Sequence, residues 1–308
     1  MSDQLAIADL KLLHHFTTKT YATLDTVVSQ QCIWQDTVIQ IGFQYPFVLR
    51  GVLAIAAVHL AMLNSTSRVD FIVQASTLYN RALVDFRNVL RSVNDENCTP
   101  IFAFSCLTVI HAFAIAQVQA PQDPVGDLLN CMHLIRGVNA ILQPHWVRFM
   151  TSELSPLLEN GWRRGVHGEI PEILQLKALV KSLPGRDQEA YANDYIQAID
   201  QLHAIMLEVK ASGDDQSCLA LLFSWPVLLP QKFFSLLSTR EPIPMIITAH
   251  FAAIFQYKAD CWWLANWGKN ILRAVGAALN ADLRKWLQWP DQISNMFDRD
   301  ENRQTLDS

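Results

Sequence analysis

Residues 46–63, PFVLRGVLAIAAVHLAML, decide the fold class. Proline is tolerated in the first helical turn, where its missing amide has no partner to lose, so Pro46 marks a helix start. From Phe47 to Leu63 the run is apolar but for Arg50 and His59. Such a run either crosses a membrane or sits in a large helical core. Spanning needs about 20 predominantly apolar residues, and this run is borderline. Ile101–Val118, which contains His111 and Gln117, is a second run of the same kind. Both are read as buried helices of a large soluble bundle, and no membrane span is expected.

Outward from these two runs, helix follows helix. Leu5–Thr23 is amphipathic, with a stripe of Leu5, Leu10, Leu12, Leu13, Phe16 and Leu24. Gln31–Gln44 is a shorter segment built on Trp34, Val38 and Ile41, and Phe71–Val93 is long and amphipathic. Thr99 is the expected cap before Pro100. Gln119–Gly126 is a loop, Leu128–Leu142 a helix ended by Pro144, and Thr151–Pro171 irregular. Helices are expected at Glu172–Leu183 and Asp187–Lys210, and Leu219–Leu237 must kink at Pro226 or Pro230. Glu241-Pro242 opens a long helix expected to reach Cys261-Trp262-Trp263, and a last helix covers Ile271–Trp286. No strand-period alternation and no fixed-length repeat is present. The expectation is an all-α fold: a single large helical domain, residues 1–290, with a central hydrophobic pocket, and a polar tail, residues 291–308.

Composition narrows the function. The chain has 308 residues, 51% of them hydrophobic and 17% charged, against about 25% charged in an average soluble protein. That apolar surplus suggests a lined cavity, an oligomer interface such as a homodimer, or a membrane. Asp and Glu (29) exceed Lys and Arg (24), whereas DNA affinity rests on cations that neutralise phosphates. No direct nucleic-acid binding by this chain is expected. The six cysteines, at 32, 98, 106, 131, 218 and 261, never take the C-x2-C spacing of a zinc site. They read as reduced thiols in a cytoplasmic or nuclear protein.

Signatures of enzymes with a conserved elbow, phosphate loop or zinc helix are absent from the sequence. The acidic pairs Asp95-Glu96 and Asp214-Asp215 lie in polar turns, and His14-His15 has no third ligand at metal-binding spacing. No metal and no cofactor is expected. His59, His111 and His250 each fall inside an apolar helix. Each is either a core imidazole bonded to a nearby carbonyl or hydroxyl, or a polar handle facing a ligand. The densest feature is Phe251–Gly268, FAAIFQYKADCWWLANWG. Its aromatics serve a core, an interface or a pocket wall, and Trp and Tyr offer a rigid polycyclic ligand a flat face plus one donor. The candidate ligand-binding residues are Phe251, Phe255, Trp262, Trp263 and Trp267, with Gly268 letting the chain turn closely after the helix. His111 and His250 are the candidate polar or catalytic contacts.

Four stretches resemble the regulatory domain of fungal binuclear-zinc-cluster transcription factors, in the sterol uptake control branch. They are DLKLLHHFTTKTYATL (Asp9–Leu24), PFVLRGVLAIAAVHLA (Pro46–Ala61), LFSWPVLLPQKFFSLL (Leu222–Leu237) and EPIPMIITAHFAAIFQYKADCWWLANWG (Glu241–Gly268). The resemblance implies a helical domain that holds a sterol in a hydrophobic pocket, with ligand release altering nuclear import and gene activation. In that family a six-cysteine zinc module and a basic linker precede the domain. Here Met1 leads directly into the opening helix, which fits an excised domain or, slightly better, a short protein that kept the pocket without the DNA reader. Three functions stay open: a module that binds a hydrophobic small molecule (sterol, terpenoid or polyketide), a cofactor-independent enzyme, or an interaction scaffold. The enzyme would cyclise or couple terpenoid or polyketide intermediates, for example by a Diels-Alder-type addition, mainly through orientation.

Overall fold

The amphipathic N-terminal stripe forms α1 (Ile7–His15), which runs through a π-helical turn, Phe16–Thr20, into a 3-10 turn, Tyr21–Thr23. Leu12 and Phe16 are its buried anchors. Two shorter helices, α2 (Val28–Cys32) and α3 (Val38–Gln44), flank another π turn that buries Trp34. Pro46 then opens α4 (Pro46–Leu63), which packs along α5 (Arg68–Val89) and α6 (Cys98–Gln119). Gly51 permits the α4–α6 approach, because a Cβ there would sit 3.0 Å from the Phe104 ring. The computed structural model describes residues 7–119, 122–159, 165–182, 185–212 and 218–295, and among them there is no strand.

α4 and α6 are each long and apolar enough to cross a membrane, yet 72% of each apolar window is buried inside this helical body. That burial accounts for their composition: they are central helices of the bundle. α6 starts at Cys98, one residue before the expected cap, with Pro100 in its first turn as expected.

α7 (Pro124–Leu142) begins at an Asp123 cap whose carboxylate accepts from Gly126 N at 3.1 Å. Short helix α8 (Trp146–Met150) precedes the stretch expected to be irregular, and α9 (Pro156–Glu159) occupies part of it. α10 (Pro171–Leu174) and α11 (Leu176–Lys181) lead to the long α12 (Gly185–Ala211). The expected kink is a full corner: α13 (Leu219–Leu228) and α14 (Gln231–Ser238) meet at 89°. Pro226 lies within α13, and Leu229-Pro230 makes the break.

α15 (Pro242–Ala253) is buried on every side from Ile243 onward. Here the structure corrects the sequence reading. The helix does not reach Trp263; it tightens to a 3-10 segment, Ile254–Lys258, and opens into turns through residue 266 before α16 (Trp267–Ala278). Tertiary bonds impose the break. Lys258 Nζ donates to Thr26 Oγ1 at 2.9 Å, Trp263 Nε1 to the Leu24 carbonyl at 3.2 Å, and Gln117 Nε2 to the Trp263 carbonyl at 3.3 Å. Gly268 is helical, not a turn residue, and no described glycine has positive φ. It is needed for closeness: a Cβ would lie 2.9 Å from the Ala252 carbonyl oxygen of α15.

The expected final helix is also divided. α16 stops before Leu279, Asn280 caps α17 (Ala281–Arg284), and after a 3-10 turn a last helix, α18, spans 288–295. Trp289 and Ile293 are buried, so helical packing continues past residue 290, where the polar tail was expected to start. Asp214-Asp215 and residues 296–308 lie outside the described residues.

Candidate functional site

A cavity of about 210 Å³ opens between the 24–34 region, α6, α7 and α13. α6 contributes Phe102, Cys106 and Ile110, α7 contributes Ile135, Val138 and Leu142, and α13 contributes Leu219, Phe223 and Val227. Each set recurs at helical spacing, so every helix presents one apolar face to the space. Trp34 and Trp263 close the N-terminal side, and Trp146, 45% exposed, stands at the mouth with Leu157 and Leu158.

A few polar groups interrupt the apolar wall: Asp25, Cys106, Asn139 and Ser224. Asp25 Oδ1 accepts from Val27 N at 3.0 Å, and Ser224 Oγ donates to the Leu221 carbonyl at 2.6 Å. Burial pushes the Cys106 thiol well above its ordinary range, so it is a neutral thiol and a poor nucleophile. An apolar chamber with few polar groups is the usual make-up of a small-molecule site. Among the described residues no group of three His, Cys, Asp or Glu is placed to hold a metal.

Of the expected wall residues, Trp263 lines the cavity. Its ring lies 5.9 Å from Phe223, also in the wall, and both pack on Phe113 behind it, at 5.8 and 5.6 Å. Phe255 and Trp267 form the layer behind, 5.9 and 5.0 Å from Phe113. Trp267 Nε1 donates to the Phe113 carbonyl at 3.2 Å. Phe251 stacks on Trp225 at 4.4 Å, in the core beyond, and Trp262 faces His59. These four aromatics and Gly268 do not line the cavity.

The three apolar-helix histidines behave alike. His59 stacks on Trp262 at 5.1 Å, His111 on Tyr79 at 4.0 Å, and His250 on Trp289 at 5.5 Å, all nearly parallel. His250 Nδ1 donates to the Ile246 carbonyl at 2.9 Å, which fixes its proton on Nδ1 and leaves Nε2 without a partner. His59 Nδ1 bonds the Thr20 hydroxyl at 3.0 Å. Burial lowers the pKa of all three from 6.5 to about 4, so each is a neutral, flat packing surface near pH 7. None of them lines the cavity.

Sequence reasoning missed most of the wall. Trp34, Phe102, Ile135 and Phe223 come from four distant segments, and no spacing within one segment joins them.

Comparison with known proteins shows what the chain is similar to. Residues 11–136, from α1 to late α7, match the model of the fungal specific transcription factor domain. A Zn(2)-C6 fungal-type transcription factor of Gibberella zeae is 23% identical over 93% of this chain and 61% of its own length. Sterol uptake control protein 2 of Saccharomyces cerevisiae is 24% identical over 77% of this chain and 26% of its own length. The Candida albicans protein of the same name is 21% identical over 86% of this chain and 39% of its own length. The chain thus spans between about a quarter and three fifths of the length of these relatives. Residues 11–136 are thus similar to the fungal specific transcription factor domain, and most of the chain is similar to Zn(2)-C6 fungal-type transcription factors and sterol uptake control proteins.

Proposed function

We propose that the cavity binds one uncharged, largely apolar small molecule, a sterol or a terpenoid or polyketide of similar character, and that its occupancy controls a nuclear regulator of transcription. The observation that carries this reading is the cavity itself: an apolar chamber walled by α6, α7, α13 and Trp263, with only four polar residues in its lining. The names of the relatives support it, since two of them are called sterol uptake control proteins. None of the relatives described above is named for a reaction. At about 210 Å³ the cavity is smaller than the roughly 300–1,000 Å³ of common ligand sites. A rigid tetracycle therefore enters only if a wall yields. The short helices α8 and α9, which carry the mouth residues Trp146, Leu157 and Leu158, are the wall that has to move.

The test is to incubate the purified protein with a fungal lipid extract and identify by mass spectrometry what it retains. Wild type is expected to hold about one equivalent of an unchanged neutral lipid. Ala220→Trp, which fills the mouth beside Phe223, is expected to hold none while keeping its helical spectrum. No retained molecule in wild type overturns the reading. A product that accumulates beyond one equivalent replaces it with the enzyme.

A further inference from the structure

On the far side of α16 from the core lies a second feature that the cavity does not explain. An open groove of about 520 Å³ runs between α16 and the returning segment 284–294. Lys269, Leu272, Arg273 and Gly276 recur at three- and four-residue spacing, so they form one face of α16. Arg284 and Leu287 stand opposite.

The floor centres on Leu272 and Leu287, with Gln288 and Ser294 as uncharged polar neighbours, and the rims are cationic. Leu287 is buried, and Gly276 leaves a notch: even a Cβ there would be 3.7 Å from Leu287 Cδ1. Arg273 is exposed and donates to Asn270 Oδ1 at 3.3 Å. Arg284, also exposed, donates to the Leu279 carbonyl at 3.0 Å. Neither guanidinium pairs with a carboxylate among the described residues. The one acid in the lining, Asp291, accepts from Asn295 at 3.1 Å. Three cations thus gather around an apolar floor in a chain whose net charge is -5.

We propose that this groove docks an acidic amphipathic helix of a partner protein. Helix-in-groove recognition needs an apolar trough for the anchor side chains and complementary charge on the rims. Leu272, Leu287 and the Gly276 notch supply the first, and Lys269, Arg273 and Arg284 the second. A small anion makes no use of the apolar floor. Duplex DNA binds through many phosphate contacts and does not fit a cleft with an apolar base.

The test is fluorescence anisotropy on the full chain. The probe is a labelled synthetic peptide of about 16 residues, roughly four helical turns, with leucines on one helical stripe and glutamates elsewhere. Controls are a scrambled peptide of the same composition and a short DNA duplex. Wild type is expected to bind the amphipathic peptide at micromolar concentration and both controls at least about tenfold more weakly, a difference of about 1.4 kcal/mol. Arg273→Glu is expected to lose that binding about tenfold with an unchanged circular dichroism spectrum. Gly276→Leu, which fills the notch without changing charge, is expected to do the same. Equal binding of the scrambled peptide or the duplex reduces the groove to a general polyanion attractor and overturns the proposal. So does indifference to both substitutions, or no binding of the amphipathic peptide.

Discussion

Arg136 reaches from α7 to the end of α13 and donates one guanidinium nitrogen to the carbonyl oxygens of Leu229 at 2.8 Å and Pro226 at 3.4 Å. Its Cζ lies 4.6 Å from the centre of the Phe234 ring on α14. One side chain therefore ties both arms of the 89° corner to α7, and α7 and α13 are two walls of the cavity. Charge-assisted hydrogen bonds are worth about 1.5–3 kcal/mol. Arg136→Ala is expected to lower stability in urea by roughly 2 kcal/mol and to weaken retention of a bound lipid. Lipid retention equal to wild type at matched folded fraction separates the corner from the cavity.

Trp263 has two roles that two substitutions separate. Trp263→Phe keeps an aromatic wall and removes the bond to the Leu24 carbonyl, with an expected loss of about 1 kcal/mol. Trp263→Ala also empties the wall, and its expected loss is about 3–5 kcal/mol. Equal unfolding midpoints for the two variants contradict that division.

The buried histidines make stability depend on pH. Their folded pKa of about 4 lies below the ordinary 6.5, so as pH falls the unfolded chain takes up protons first. Stability is fully present above about 6.5 and is lost as pH falls from 6.5 toward 4. At pH 5 each of His59, His111 and His250 is expected to cost on the order of 1–2 kcal/mol. Urea midpoints at pH 7.5 and 5 check this. Replacing His111, stacked on Tyr79, by Phe is expected to flatten the curve, and an unchanged slope counts against its part in the effect.

Two glycines respond in opposite ways to alanine. At Gly268 a Cβ meets the backbone oxygen of Ala252 at 2.9 Å, and a backbone cannot step aside as a side chain does. Gly268→Ala is expected to destabilise by about 1–3 kcal/mol. At Gly137, inside α7, a Cβ meets nothing within 4 Å. Gly137→Ala is expected to stabilise by about 0.4–1 kcal/mol through helix propensity and a less flexible unfolded chain. Thermal unfolding of both variants reads out the sign.

The helical class was legible because α4 and α6 are long apolar runs, opened by or carrying proline in the first turn. The corner after α13 was legible because Pro226 and Pro230 forbid a straight helix. The break after Ala253 was not. Its sequence holds no proline or glycine to stop the helix before residue 268, and the chain is held out of helix by bonds to residues 24–26, more than two hundred positions away. The same bonds explain why aromatic density alone located one wall residue, Trp263. Phe251, Phe255 and Trp267 are core aromatics by position, and nothing in their spacing distinguishes a wall from the layer behind it. The histidines illustrate the point again. Their apolar setting was visible, but their stacking partners Trp262, Tyr79 and Trp289 come from other segments of the chain.

The grip of Trp263 on Leu24 spans 239 residues of chain. During synthesis at about 5–20 residues per second, Leu24 waits roughly 10–50 s for the partner that fixes it. In the last part of that interval, after α13 is made, the chamber lacks its closing wall, and Leu24 and Phe113 lack the indole they finally pack around. A nascent chain is most exposed to chaperones and proteases in this period. A lipid present at the ribosome exit would meet the chamber before the wall that Trp263 completes is in place.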